Sequence, residues 1–96
     1  MTVLRLLADD LTGALDSAAG FGSLSAPVPV CWQPPAVAAG SLALDSGTRE
    51  AGAEQSRERV RRLAPLLHGP DVDIAYKKID SLLRGHEAVE IDTLLR

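Results

Sequence analysis

Two adjacent aspartates, Asp9 and Asp10, close the apolar run Val3-Leu4-Arg5-Leu6-Leu7-Ala8 and open the segment Leu11-Thr12-Gly13-Ala14. A carboxylate pair at such a turn can accept hydrogen bonds from a polyol, hold a divalent ion or supply a general base. It can equally be a solvated pair with one member capping the next helix. Gly13 suits a close approach, because a backbone without Cβ lets a ligand or a neighbouring strand come near. Asp16 lies on the same helix and either faces back toward the pair or stands exposed. A second polar group, Asp45-Ser46-Gly47-Thr48-Arg49, follows the apolar Leu42-Ala43-Leu44. Arg49 can clamp a carboxylate bidentately, and Thr48 can serve as a helix N-cap. The densest group is Tyr76-Lys77-Lys78-Ile79-Asp80-Ser81-Leu82-Leu83-Arg84-Gly85, with Lys77, Lys78, Arg84, Asp80 and Ser81 close together. Lys77 and Lys78 are successive strand residues and face opposite sides, so one of them reaches a shared crevice. Gly85 near a helix start suits the approach of an anion.

These groups recur at ends of strands, and the elements that position them follow from hydrophobic pattern. Residues 2–8 read as a buried strand. Asp10 or Thr12 caps a helix whose stripe is Leu11, Ala14, Leu15, Ala18, Ala19 and Phe21, ended by Gly20 and Gly22. Residues 28–32 form a weak second strand that Pro29 confines to an edge or denies strand status, and 33–40 is loop. Residues 41–45 are a third strand. A long helix spans about 50–67 with Ala53, Val60, Leu63 and Leu67 on one face; Pro65 should kink it or end it early. Residues 72–78 are the fourth strand. A last helix begins near Gly85 or His86, with Ala88, Ile91, Leu94 and Leu95 as its apolar side. Strands alternating with helices predict an α/β class, a mostly parallel open sheet with flanking helices in a partial Rossmann-like three-layer domain. In such sheets ligands bind outside the carboxyl ends of the strands, where all three polar groups fall.

Composition narrows the function. The 96 residues are 46% apolar with one Phe, one Tyr and one Trp, so the core is aliphatic. The net charge is −3, which offers no general attraction for a nucleic-acid backbone. Arg57, Arg59, Arg61 and Arg62 are interleaved with Glu54 and Glu58, which reads as a solvated helix face first and an anion patch second. Cys31 stands alone, which excludes a disulfide framework or a cysteine metal site and reads as a small apolar side chain. His68 and His86 lack metal-pair spacing and read as surface or loop residues. No membrane span, signal peptide or Walker-type phosphate loop is present in the sequence, and a cytoplasmic location is the expectation.

The motifs resemble the amino-terminal domain of the four-carbon acid sugar kinases. That family begins with a strand and Ala-Asp-Asp-Leu-Thr-Gly-Ala-Asn-Asp; Ala8 to Asp16 departs from it only at Leu15. Asp45 to Arg49 is loosely similar to its Asp-Thr-x-Ser-Arg segment. Tyr76 to His86 is similar to Tyr-Lys-Lys-Ile-Asp-Ser-Thr-Leu-Arg-Gly-Asn, with Leu82 for the Thr, His86 for the Asn, and Glu90 at the position of a following Glu. The resemblance implies an ATP-dependent kinase acting on a hydroxyl of threonate, erythronate or 3-oxo-tetronate. It implies sugar hydroxyls on Asp9 and Asp10 beside Gly13, the acid group on Arg49, Lys78 and Arg84, and Asp80 orienting those cations, with Asp10 the candidate base. It also implies that ATP and Mg²⁺ are held by a separate carboxyl-terminal domain. Residues 1–96 would then be an incomplete sugar-binding domain, inactive alone, needing the ATP-binding domain in cis or trans and open to self-association.

Two other readings compete. A receiver-like signalling module would use Asp9 and Asp10 as its acidic pair, Asp45 as phospho-acceptor and Lys77 or Lys78 as its lysine. A non-catalytic remnant would fold poorly around so small a core.

Overall fold

The computed structural model describes residues 2–21, 28–32, 40–79, 83 and 85–96. In chain order the elements are β1 (Leu4–Ala8), α1 (Leu11–Phe21), β2 (Val30–Cys31), β3 (Leu42–Asp45), α2 (Ala53–Leu67), β4 (Ile74–Lys77) and α3 (Glu87–Leu95). The strands form one sheet in the order β2-β3-β1-β4, and every pairing is parallel. The expected α/β class is therefore the observed one. Pro29 sits just before β2, an edge strand as anticipated, and its carbonyl still accepts from the Ala43 N–H at 2.8 Å.

Strand alternation divides the core into two halves. Leu6, Ala8 and Ala43 face α1 and meet Ala14 and Ala18. Leu7 and Leu44 face the other way, against Val60, Leu63 and Leu67 of α2 and Leu94 of α3. Cys31 packs against this second half, half-buried, in the apolar role its sequence context suggested. Arg5 is the charged exception in a strand buried throughout. Its guanidinium donates to the carbonyls of Gly40 and Leu66, both at 2.7 Å. The second of these lies in the last turn of α2, where a carbonyl has no partner within the helix.

Several expected helix faces are corrected. In α1 the buried residues are Ala14 and Ala18, while Leu11 and Leu15 are 42% and 50% exposed and Ala19 is exposed. Each residue advances about 100° round the axis, so a stripe centred on Ala14 and Ala18 turns Leu15 and Ala19 away from the sheet. Phe21 instead meets Tyr76 of β4 edge-on, ring centroids 5.1 Å apart. In α2 Ser56 joins Val60, Leu63 and Leu67, and Ala53 is exposed. In α3 Ala88 and Leu95 are exposed, and the centre of the buried face is Glu90.

Pro65 neither ends α2 early nor displaces its terminus from Leu67. It occupies the last turn, where the helix closes through His68 N–H to the Ala64 carbonyl at 3.2 Å. Proline at this position still withholds one i→i−4 bond, to Arg61. Pro65→Ala is therefore expected to stabilise the domain by about 1 kcal/mol, restored helix bonding outweighing proline's restriction of the unfolded chain. The midpoint of urea unfolding measures it.

Candidate functional site

The chain leaves β1 to form α1 on one face of the sheet and leaves adjacent β3 to form α2 on the other. Where neighbouring strands send their connections to opposite faces, a crevice opens at their carboxyl ends, and this is where open α/β sheets bind ligands. The strand ends are in register there: Ala8 pairs with Asp45 and Leu7 with Lys77. Ser46 N–H continues the ladder to the Ala8 carbonyl and Lys78 N–H to the Leu7 carbonyl, both at 2.9 Å.

Asp9, Asp10 and Arg49 meet at these strand ends. Arg49 Nη2 lies 3.2 Å from Asp9 Oδ1, and Arg49 Nη1 lies 2.8 Å from Asp10 Oδ2. Asp9 is buried, its side chain only 4% exposed, whereas that of Asp10 is 28% exposed and so the more accessible of the two. Asp10 also caps α1, its Oδ1 accepting from Gly13 N–H at 2.9 Å, so the capping and chemical readings of the pair hold together. Each carboxylate oxygen can accept more than one hydrogen bond, which leaves capacity toward a hydroxyl. Gly13 is the close-approach position anticipated: a Cβ there would lie 2.8 Å from Asp10 Oδ1 and 3.7 Å from Lys78 Cγ.

The other candidates are distributed around this centre. Lys77 and Lys78 diverge as strand neighbours should. Lys78 runs past Gly13 and its Nζ donates to the Ile79 carbonyl at 2.9 Å, while Lys77 Nζ turns to Glu90 Oε1 at 3.2 Å. Asp16 is exposed on α1. Asp80 and Arg84, with Ser81 and Leu82, lie outside the described residues. Thr48 is not a helix cap: α2 starts later, with Gly52 as its N-cap. Thr48 is buried instead, its hydroxyl donating to Glu90 Oε2 at 2.5 Å. The histidines have structural partners: His68 Nε2 meets the Leu94 carbonyl at 2.7 Å, and His86 Nε2 meets the Ala51 carbonyl at 2.6 Å. No metal-binding group of three or more His, Cys, Asp or Glu occurs among the described residues.

Glu90 gathers Lys77 and Thr48, which the strand-end reading gave only as a crevice lysine and a helix cap, into a buried cluster. The available signal was a carboxylate within the inward stripe of a helix, between Glu87 and Leu94, where an apolar residue is expected.

Asp45 carries the raised carboxyl of the site. Burial is the largest cause, and the nearby Asp10 and Asp9 charges raise it further, against the Gly47 N–H and Arg59, which lower it. A carboxyl raised by folding favours the folded state while protonated, and that contribution fades as pH rises through its folded value. Asp45→Asn keeps an acceptor for Gly47 N–H, 2.7 Å from Asp45 Oδ1, and removes the charge. It is expected to raise the melting temperature at pH 7 and to have less effect near pH 4, as scanning calorimetry at the two pH values would show.

The fold and crevice define an α/β ligand-binding domain with its polar centre at the switch point of a parallel sheet. The family model for the sugar-binding N-terminal domain matches residues 4–96. The chain therefore belongs to that family, the amino-terminal domain of the four-carbon acid sugar kinases. A search of curated proteins found no significant match. Family membership and the bridged Asp9–Arg49–Asp10 centre disfavour the receiver-like reading, which requires an open acidic pair and gives Arg49 no role. No described helix is long and apolar enough to cross a membrane.

Proposed function

We propose that this domain binds a four-carbon sugar acid such as threonate, erythronate or 3-oxo-tetronate, and presents one of its hydroxyls for phosphorylation by ATP. The observation that carries the reading is the pair of adjacent carboxylates, bridged by one arginine, at the switch-point crevice of a sugar-binding domain. Asp9 and Asp10 accept hydrogen bonds from substrate hydroxyls, and Asp10, the more accessible, is the candidate base. Arg49 already donates to both carboxylates, so its role is to hold them at fixed spacing and offset their charge. The substrate's acid group falls to Lys78 and, by family resemblance, to Arg84, with Asp80 orienting them. Phosphoryl transfer depends mainly on positioning and charge stabilisation, and a cationic rim beside a hydroxyl-binding pair supplies both.

ATP and Mg²⁺ are assigned to a domain outside these 96 residues, joined in cis or supplied in trans. Residues 1–96 are then a substrate-binding portion without turnover of its own, acting in the cytoplasm. Titration calorimetry of the intact protein with threonate and erythronate tests the reading. Binding in the micromolar to millimolar range, lost in Asp10→Ala, is expected; no heat from any four-carbon sugar acid would refute it.

A further inference from the structure

Beside the Asp9–Arg49–Asp10 centre lies a second polar cluster, built around a buried carboxylate. Glu90 is fully buried in α3, one turn in from its start. One carboxylate oxygen accepts from the Thr48 hydroxyl at 2.5 Å, and the other lies 3.2 Å from Lys77 Nζ. With its own proton on Glu90, the Thr48 hydroxyl accepts from that of Ser46 at 2.7 Å, whose oxygen also lies 3.2 Å from the Ala8 carbonyl. The Thr48 carbonyl accepts from the Ser56 hydroxyl of α2 at 3.4 Å. The same short segment donates two backbone N–H groups, from Thr48 at 3.0 Å and Arg49 at 3.2 Å, to the carbonyl of Asp9.

Stability alone is a poor account of this arrangement. A buried ion pair loses its hydration, and well-packed apolar residues commonly serve a core as well or better. What the cluster adds is direction. It ties the loop after β3, the end of β4 and the first turns of α3 to one carboxylate, with Arg49 next in sequence to the held threonine. We infer that Glu90 is a positioning residue for the sugar-acid site: through Thr48 and Lys77 it sets where the Arg49 guanidinium meets Asp9 and Asp10. This rests on the sugar-acid reading for its consequence in binding, but not for its consequence in geometry.

The test is Glu90→Gln in the intact protein, which keeps the shape and removes the charge. Two readouts are taken at a temperature where a thermal melt shows the variant folded. The first is the Arg49 Nε–H resonance in a ¹⁵N-labelled sample, assigned by its loss in Arg49→Lys. The second is calorimetric affinity for threonate and erythronate. A displaced or broadened Arg49 resonance is expected, with affinity down about 10- to 100-fold, by analogy with removing a group that orients a metal ligand. An Arg49 resonance at its wild-type position in folded Glu90→Gln overturns the inference, because a purely structural role lowers the melt without moving that signal. If Glu90→Gln does not fold, Thr48→Val, which deletes only the hydroxyl, is judged by the same resonance. Failure of the wild type to bind either sugar acid refutes the proposed function, while the Arg49 resonance still decides the positioning role.

Discussion

Arg49→Ala is expected to destabilise the domain by about 3–5 kcal/mol, the range for removing one partner of a buried charge pair. Asp9 and Arg49 are 4% and 17% exposed at their side chains, so solvent compensates little for a lost partner there. Asp10, at 28%, recovers more of its hydration and contributes at the lower end. Without the guanidinium the adjacent carboxylates repel one another across a partly dry crevice, and Asp45 adds a third negative charge nearby. Arg49→Lys is expected to recover only part of the loss. One ammonium is a point charge, whereas the planar fork spans two carboxylates with separate nitrogens. Urea unfolding of the three proteins measures the difference, and the sugar-acid affinity of the two variants reports the same order. A loss below about 1 kcal/mol in Arg49→Ala, as for exposed pairs, would mean that the two aspartates are solvated independently.

Gly85→Ala is expected to weaken sugar-acid binding by on the order of 10- to 100-fold, the loss of a hydrogen bond to a charged group worth about 1.5–3 kcal/mol. A Cβ at Gly85 would overlap Asp9 Oδ2 outright and come within 3.3 Å of Asp9 Cγ and Glu87 Oε1. Such an overlap is relieved cheaply when the obstructed atom belongs to a free side chain. Asp9 is not free: its other oxygen is held by Arg49 and its backbone carbonyl by two N–H groups. The added methyl must therefore push the carboxylate off Arg49 or push the start of α3 away from the crevice. Calorimetry with threonate and erythronate measures the loss. Unchanged affinity in folded Gly85→Ala would show that Asp9 takes no part in binding. Gly13→Ala is a milder companion, since its Cβ would crowd only the capping oxygen of Asp10 at 2.8 Å.

Much of this molecule was legible in one dimension. The alternation of short apolar runs with longer amphipathic ones specified a parallel α/β sheet, because each strand buried on both faces needs a helix to carry the chain back. That Asp9, Asp10 and Arg49 come together was readable because strand ends in such a sheet converge on one edge. The opposite facing of Lys77 and Lys78 followed from strand geometry alone. Harder to read were the helix faces. Leu11, Leu15 and Leu95 look like core by type yet lie exposed, because which arc of a helix is buried depends on how it sits on its neighbours.

Residue types and their periods, then, determined the fold class and the gathering of polar groups at the strand ends, while the motifs carried the family resemblance that the family model bears out. Tertiary structure alone decided that Arg49 gives its guanidinium to the chain's own aspartates, which lie 39 and 40 positions away in sequence. It alone decided that Glu90 is buried rather than solvated, 42 residues from the threonine whose hydroxyl it accepts. The reason is physical: a charge is read from sequence as exposed because burial alone is costly, and only the folded chain supplies the distant partners that make burial affordable.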